Sequence, residues 1–185
     1  MPVAPAADEQ REPVLFGAEA PLTPEDPAAS PAPALAMPAG ALRMVDGIDR
    51  HLPHGGPAGL GFVRGFKSIA PKEWFFRAHF HQDPVCPGSL GIESFLQLLK
   101  FAARERWPEL LDSHRFALQT GRPHRWTYRG QILPSNRTVT IEASISAVEE
   151  TPHPALEASG ILRVDGLPIY RMENFGIRLA PVPDV

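Results

Sequence analysis

The sequence predicts an α+β domain in which one long buried helix is wrapped by a curved antiparallel sheet. Three observations predict it. A mostly apolar stretch from Ser89 to Arg106 has helical spacing and lies between Pro87-Gly88 and Trp107-Pro108. Beyond it the apolar pattern changes to period two, in segments separated by turn residues. Asp165-Gly166, between two of those segments, is a strong signal for a two-residue hairpin. A sheet with one apolar face and a helix that is apolar on most sides satisfy each other by mutual burial.

Taken in order, residues 1–40 read as a proline- and alanine-rich tail or linker, and residues 41–185 as the folded domain. Runs such as Thr23-Pro24-Glu25-Asp26-Pro27 and Ser30-Pro31-Ala32-Pro33 bury too little apolar surface to offset chain entropy. Val14-Leu15-Phe16 is apolar enough to dock on the domain. His51 to Pro57 reads as a turn from its glycines and prolines. Gly61 to Ile69 alternates like a strand, and Trp74 to Phe80 is a second apolar segment that ends at a histidine.

In the helix, Ile92, Phe95, Leu96, Leu99 and Ala103 recur at i, i+3, i+4 and i+7, while Leu98, Phe101 and Ala102 widen the stripe. A helix of about 18 residues is roughly 27 Å long, and one this apolar is expected to be buried. Four strands follow, over 125–132, 138–145, 156–164 and 169–179.

The totals exclude several classes. The chain has 185 residues, enough for a substantial core. A net charge of −3 implies neither nucleic acid nor an anionic membrane as partner. The single cysteine, Cys86, excludes an internal disulfide and fits a reducing compartment. No apolar run approaches the roughly 20 residues of a membrane span, and Met1-Pro2-Val3-Ala4-Pro5 lacks the regions of a secretion signal. A cytoplasmic location is expected.

The chemistry concentrates between His79 and Leu99. His79 supplies a group that titrates near neutrality. Pro87-Gly88 lets the backbone approach a ligand, because glycine has no Cβ. The first helix amides, from Ser89, lack intrahelical partners and favour a developing negative charge. Glu93 lies on an otherwise apolar helix, and apolar surroundings push a carboxyl group towards its neutral, proton-donating form. The set suits proton transfer beside a bound carbonyl.

The pattern Phe76-x-x-His79-Phe80-x-x-Asp83-Pro84-Val85-x-Pro87-Gly88-x-Leu90-Gly91-x-Glu93-x-x-x-Gln97 resembles the signature of bacterial 3-hydroxydecanoyl-ACP dehydratase/isomerases. It is more similar still to the dehydratase domains of polyunsaturated fatty acid and polyketide synthases. Tyr128 to Pro134 and Val164 to Tyr170 extend the resemblance, which covers about 41–180. It implies a single hot-dog fold. It also implies a catalytic dyad of His79 and Glu93, with Gly88 holding the thioester carbonyl by its amide. Val85 and Ser89 flank that substrate-binding turn, and Gln97 would steady the acid. The family's acid is commonly aspartate; the glutamate here has a longer arm. The resemblance further implies an acyl carrier protein as partner, the substrate carried on phosphopantetheine, no other cofactor, and a homodimer sharing its active sites.

Plainer readings stand beside these. An isolated histidine is more often a satisfied core residue than a base, Glu93 could belong to an interface ion pair, and Gln97 could simply bridge two helices. His79, His81 and Cys86 are metal-ligand types but lack an obvious further ligand, so no metal site is expected. Cys86 reads as a small buried side chain rather than a nucleophile, and Asp83 as a turn residue. His51, His54, His114, His124 and His153 read as surface. Two rival functions remain: a hot-dog acyl thioesterase whose carboxylate activates water, and a non-catalytic pseudo-dehydratase subunit.

Overall fold

The computed structural model describes residues 13–16 and 35–182. Its strands are β1 (Val14–Leu15), β2 (Gly47–Leu52), β3 (Phe62–Ser68), β4 (His114–Leu118), β5 (Arg125–Tyr128), β6 (Thr138–Glu149), β7 (Ala155–Val164) and β8 (Leu167–Pro181). The helices are the single turn α1 (Phe75–Ala78) and the long α2 (Gly88–Arg106). All strands join one antiparallel sheet in the order β1-β2-β3-β6-β7-β8-β4, with β5 also on β8.

The sheet wraps α2, as the sequence predicts. Phe95, Leu98 and Leu99 of the helix and Val63, Ile141, Leu156, Leu162, Ile177 and Leu179 of the sheet are fully buried in one core. Ile92 and Leu96, placed on the apolar stripe by their spacing, are only half-buried at its margin. The β7–β8 hairpin turns through Asp165 (φ 48°) and Gly166 (φ 87°), the two positive φ values that a type I′ turn requires. β8 is long enough to carry two partners on its outer side: β5 along Tyr170–Glu173 and β4 along Ile177–Pro181. Between them Asn174 takes a left-handed φ of 58° at a register shift, and the sheet edge opens there. Among the described residues no helix is long and apolar enough to cross a membrane.

Val14-Leu15, within the expected tail, docks on the domain by pairing with Ile48 and Gly47 of β2. The Phe16 amide donates to the Asp46 carbonyl, and its ring meets Phe101 edge-on at 6.3 Å. Leu35 is fully buried, its amide donating to the Leu111 carbonyl. Met37 packs against the same core, and residues 1–12 and 17–34 of the expected linker lie outside the described residues.

Several boundaries differ from expectation. Trp74–Phe80 is not a strand. Phe75 and Phe76 are both buried, and consecutive side chains of a strand point to opposite faces; a helical turn turns both inward. β2 runs on through His51 and Leu52, so the turn begins at Pro53. β5 ends at Tyr128, four residues early. α2 starts at Gly88 rather than Ser89. β4 has no counterpart among the expected strands, because its five residues, His114–Leu118, carry no clear alternation.

Candidate active site

The entrance to α2 is built from a rigid loop. Phe80 and Asp83 form an isolated bridge around Gln82, whose φ is 59°. Val85 donates its amide to the Asp83 carbonyl at 2.9 Å, and Cys86 donates to Ile132 at 3.0 Å. Pro87 caps the helix with φ −53° and ψ 133°. Lys67, buried on β3, pairs with Asp46 at 3.5 Å and with Glu73 at 3.2 Å, and so ties the approach to α1 onto the sheet.

Val85 and Cys86 are buried, Gly88 is half-buried and Ser89 is exposed. A methyl group placed on Gly88 would fall 2.6 Å from Cη2 of Trp126. At Gly91 the equivalent methyl would overlap the ring of Tyr170. Trp126, Tyr128 and Tyr170 thus form an aromatic collar over the first turn, with centroids 4.9 to 5.6 Å apart. Both glycines are there for close approach. The motif contains them, but only the fold reveals the rings they accommodate.

Burial holds the Cys86 thiol at about 12, against the weaker opposing influence of Lys67. It remains protonated near neutrality, which is the inert behaviour expected of it. Burial, and after it the neighbouring Tyr128, raise the Tyr170 phenol above its ordinary value.

The carboxyl group of Glu93 is held through one oxygen. Gln97 Nε2 donates to Glu93 Oε1 at 3.1 Å, and Lys100 Nζ donates to the same oxygen at 2.8 Å. Gln97 is itself fixed at both ends. Its Nε2 also donates to the Leu42 carbonyl at 2.7 Å, and its Oε1 accepts the Met44 amide at 2.9 Å. A hydrogen bond from Gln97 to Glu93 is thus present. The apolar surroundings expected for Glu93 are not, because an ammonium group two helical turns on faces the carboxyl. Reading for apolar periodicity passes over Lys100. Its position at i+7 from Glu93, on the same helix face, is the signal that could have found it.

His79 closes α1 and stacks on Phe80, with ring centroids 3.8 Å apart. Its Nδ1 is buried and has no hydrogen-bond partner. Among the described residues no hydrogen bond joins His79 to Glu93, so one chain does not assemble the dyad as a bonded pair. On another face of α2, which Glu93 does not line, is an open cavity of about 400 Å³. Ile92 and Leu96 form its helix wall, and Met172, Phe175 and residues 118–122 form the other side. Among the described residues no cluster of three metal-ligand side chains occurs.

The chain resembles known proteins in sequence and in structure. In sequence it is 36% identical over 130 residues to a polyunsaturated fatty acid synthase polypeptide of a Thraustochytrium species, a match covering 68% of this chain and 9% of that protein. The chain therefore spans less than a tenth of that relative's length. In structure it is similar to the dehydratase heterocomplex ApeI:P from Xenorhabdus doucetiae, with a TM-score of 0.50 at 15% identity, covering 82% of this chain and 90% of that one. That likeness fixes the hot-dog fold. The profile of the FabA-like domain matches residues 37–173, a span that holds α2, its entrance loop and the Glu93 network, and the chain belongs to the FabA-like domain family.

Proposed function

We propose that this domain is a dehydratase. It takes a 3-hydroxyacyl thioester, carried on the phosphopantetheine arm of an acyl carrier protein, to the trans-2-enoyl thioester in fatty acid, polyunsaturated fatty acid or polyketide synthesis. The observation that carries the reading is the carboxyl group of Glu93, fixed by Gln97 to the main chain at Leu42 and Met44. A carboxyl group anchored by Oε1 presents Oε2 for proton transfer.

In this mechanism neutral His79 takes the C2 proton. The negative charge that develops on the thioester oxygen is met by the Gly88 amide at the start of α2, and such a donor is worth about 3 kcal/mol. Glu93 gives a proton from Oε2 to the C3 hydroxyl, the C3–O bond breaks, and water leaves. Each positioned proton transfer contributes about 10²–10⁴ in rate. No step calls for a metal or organic cofactor.

The acyl chain is assigned to the cavity beside Ile92 and Leu96, where Leu118, Met172 and Phe175 supply further apolar surface. Arg125, 79% exposed and only 3.9 Å from Glu173 at best, is available to the phosphate of the arm, and Arg129 is exposed nearby. A homodimer completes each site, with His79 of one copy facing Glu93 of the other. Exposed Leu118, Trp126 and Tyr128 on β4 and β5 support pairing at that edge.

Incubation with a panel of 3-hydroxyacyl-carrier thioesters, followed by mass spectrometry, tests the reading. Loss of one water, abolished by His79→Ala, is expected. Free acid with free thiol would instead identify hydrolysis, and no turnover of any thioester would identify a non-catalytic protein.

A further inference from the structure

Among the described residues, Lys100 is the charged partner that α2 supplies to Glu93, and the dehydratase signature in this sequence does not include it. The pair is partly buried, with the side chains 16% and 24% exposed. Lys100 Nζ and Gln97 Nε2 converge on the same oxygen, Oε1. A surface pair of long side chains is worth little, but here the carboxyl already has a fixed orientation from Gln97.

We propose that Lys100 is a positioning residue for the dehydration. It acts through Glu93, stabilising the carboxylate that forms as the proton departs. This rests on the dehydratase reading above. The step starts from the acid form of Glu93, with the proton on Oε2 and Oε1 accepting from the ammonium group. During the step the Oε2 proton passes to the C3 hydroxyl, the C3–O bond breaks to release water, His79 receives the C2 proton, and the C2–H electron pair becomes the new double bond. Glu93 gains a full negative charge while the ammonium group stays in place. The Lys100 hydrogen bond therefore strengthens as the reaction proceeds, because bonds between charged partners are shorter and stronger. An interaction that grows towards the transition state raises kcat rather than lowering KM.

The test is a double-mutant cycle on the intact chain, with Lys100→Met, Lys100→Arg, Glu93→Gln and the Glu93→Gln/Lys100→Met pair. Lys100→Met is expected to lower kcat by about 10- to 100-fold, the range of a hydrogen bond to a charged group. KM should stay within about twofold, and Lys100→Arg should recover most of the loss. In the Glu93→Gln background, Lys100→Met should cost almost nothing more, since its effect passes through the missing carboxyl. Thermal unfolding of each variant identifies any loss that is only misfolding. The proposal is overturned if folded Lys100→Met keeps the parental kcat, or if its loss is as large in the Glu93→Gln background as in the parent. A parent chain that dehydrates, combined with either result, removes the role of Lys100 alone. A parent that dehydrates nothing removes the function and this role together.

Discussion

The Met44 main-chain amide donates to the side-chain oxygen of Gln97 at 2.9 Å, and this bond settles which end of the glutamine faces Glu93. With Oε1 occupied by Met44, only the NH₂ group is left for the acid. The loop before β2 thereby reaches the carboxyl group proposed as the acid through Gln97 alone.

Replacement of Gln97 by methionine keeps the volume and removes every one of these contacts. The Met44 amide and Leu42 carbonyl lose their partner, at about 1–3 kcal/mol for each buried group left unsatisfied. Gln97→Met is expected to lower the urea midpoint clearly and to reduce dehydration further than the stability loss accounts for. Urea titration by circular dichroism and steady-state kinetics on the same samples check both parts.

Gly88→Ala sets a methyl group 2.6 Å from Trp126. The helix start or the indole ring must shift, at about 1–3 kcal/mol for overpacking. The second change Trp126→Ala removes the obstruction. The pair is therefore expected to be less destabilised than the sum of the two single variants, and chemical denaturation of all four proteins tests this.

Alkaline pH provides a third prediction. Cys86 is raised from 9.0 to about 12 by burial. Its protonated form is favoured by the fold, so its contribution is fully present below pH 9 and is lost as pH rises towards 12. The slope reaches about 1.4 kcal/mol per pH unit for one group. Tyr170, raised in the same direction from 10.0, joins it at higher pH. Denaturation midpoints between pH 8 and pH 11 should fall from pH 9 upward, and Cys86→Ala should flatten the first part of that fall. In the folded protein, iodoacetamide should leave Cys86 unmodified near neutral pH, as intact mass will show.

Asn174 holds a left-handed φ of 58° where β4 and β5 part. A β-branched side chain resists that conformation, at about 1–2 kcal/mol. Asn174→Val is expected to destabilise by that amount and Asn174→Gly to be close to neutral, as measured by urea unfolding.

Much of the fold is legible in the sequence. The expected and observed starts of α2 differ by one residue, since strong apolar spacing and proline stops leave little choice there. The β7–β8 hairpin is as plain, because Asp-Gly carries its own turn geometry. Less legible are elements whose form depends on distant neighbours. α1 is helical because Phe75 and Phe76 must both reach the core, and β4 exists because β8 offers it an edge. The site divides the same way. His79, Gly88, Glu93 and Gln97 stand out because unusual residue types sit in a tight pattern. Lys100 and Trp126 fall outside that pattern: Lys100 lies two helical turns on along the Glu93 face, where only the i+7 spacing marks it, and Trp126 comes from another strand, where nothing local does.

The collar over the helix entrance has an optical consequence. The chain has three tryptophans. The indole N–H of Trp74 is engaged by the Ala41 carbonyl, and that of buried Trp107 by Glu150. Trp126 is 37% exposed and lies directly over Gly88, where a thioester carbonyl would arrive. On the proposed reading this is the doorway of the site, and a ligand arriving there is expected to change the ultraviolet emission of Trp126 without an attached dye.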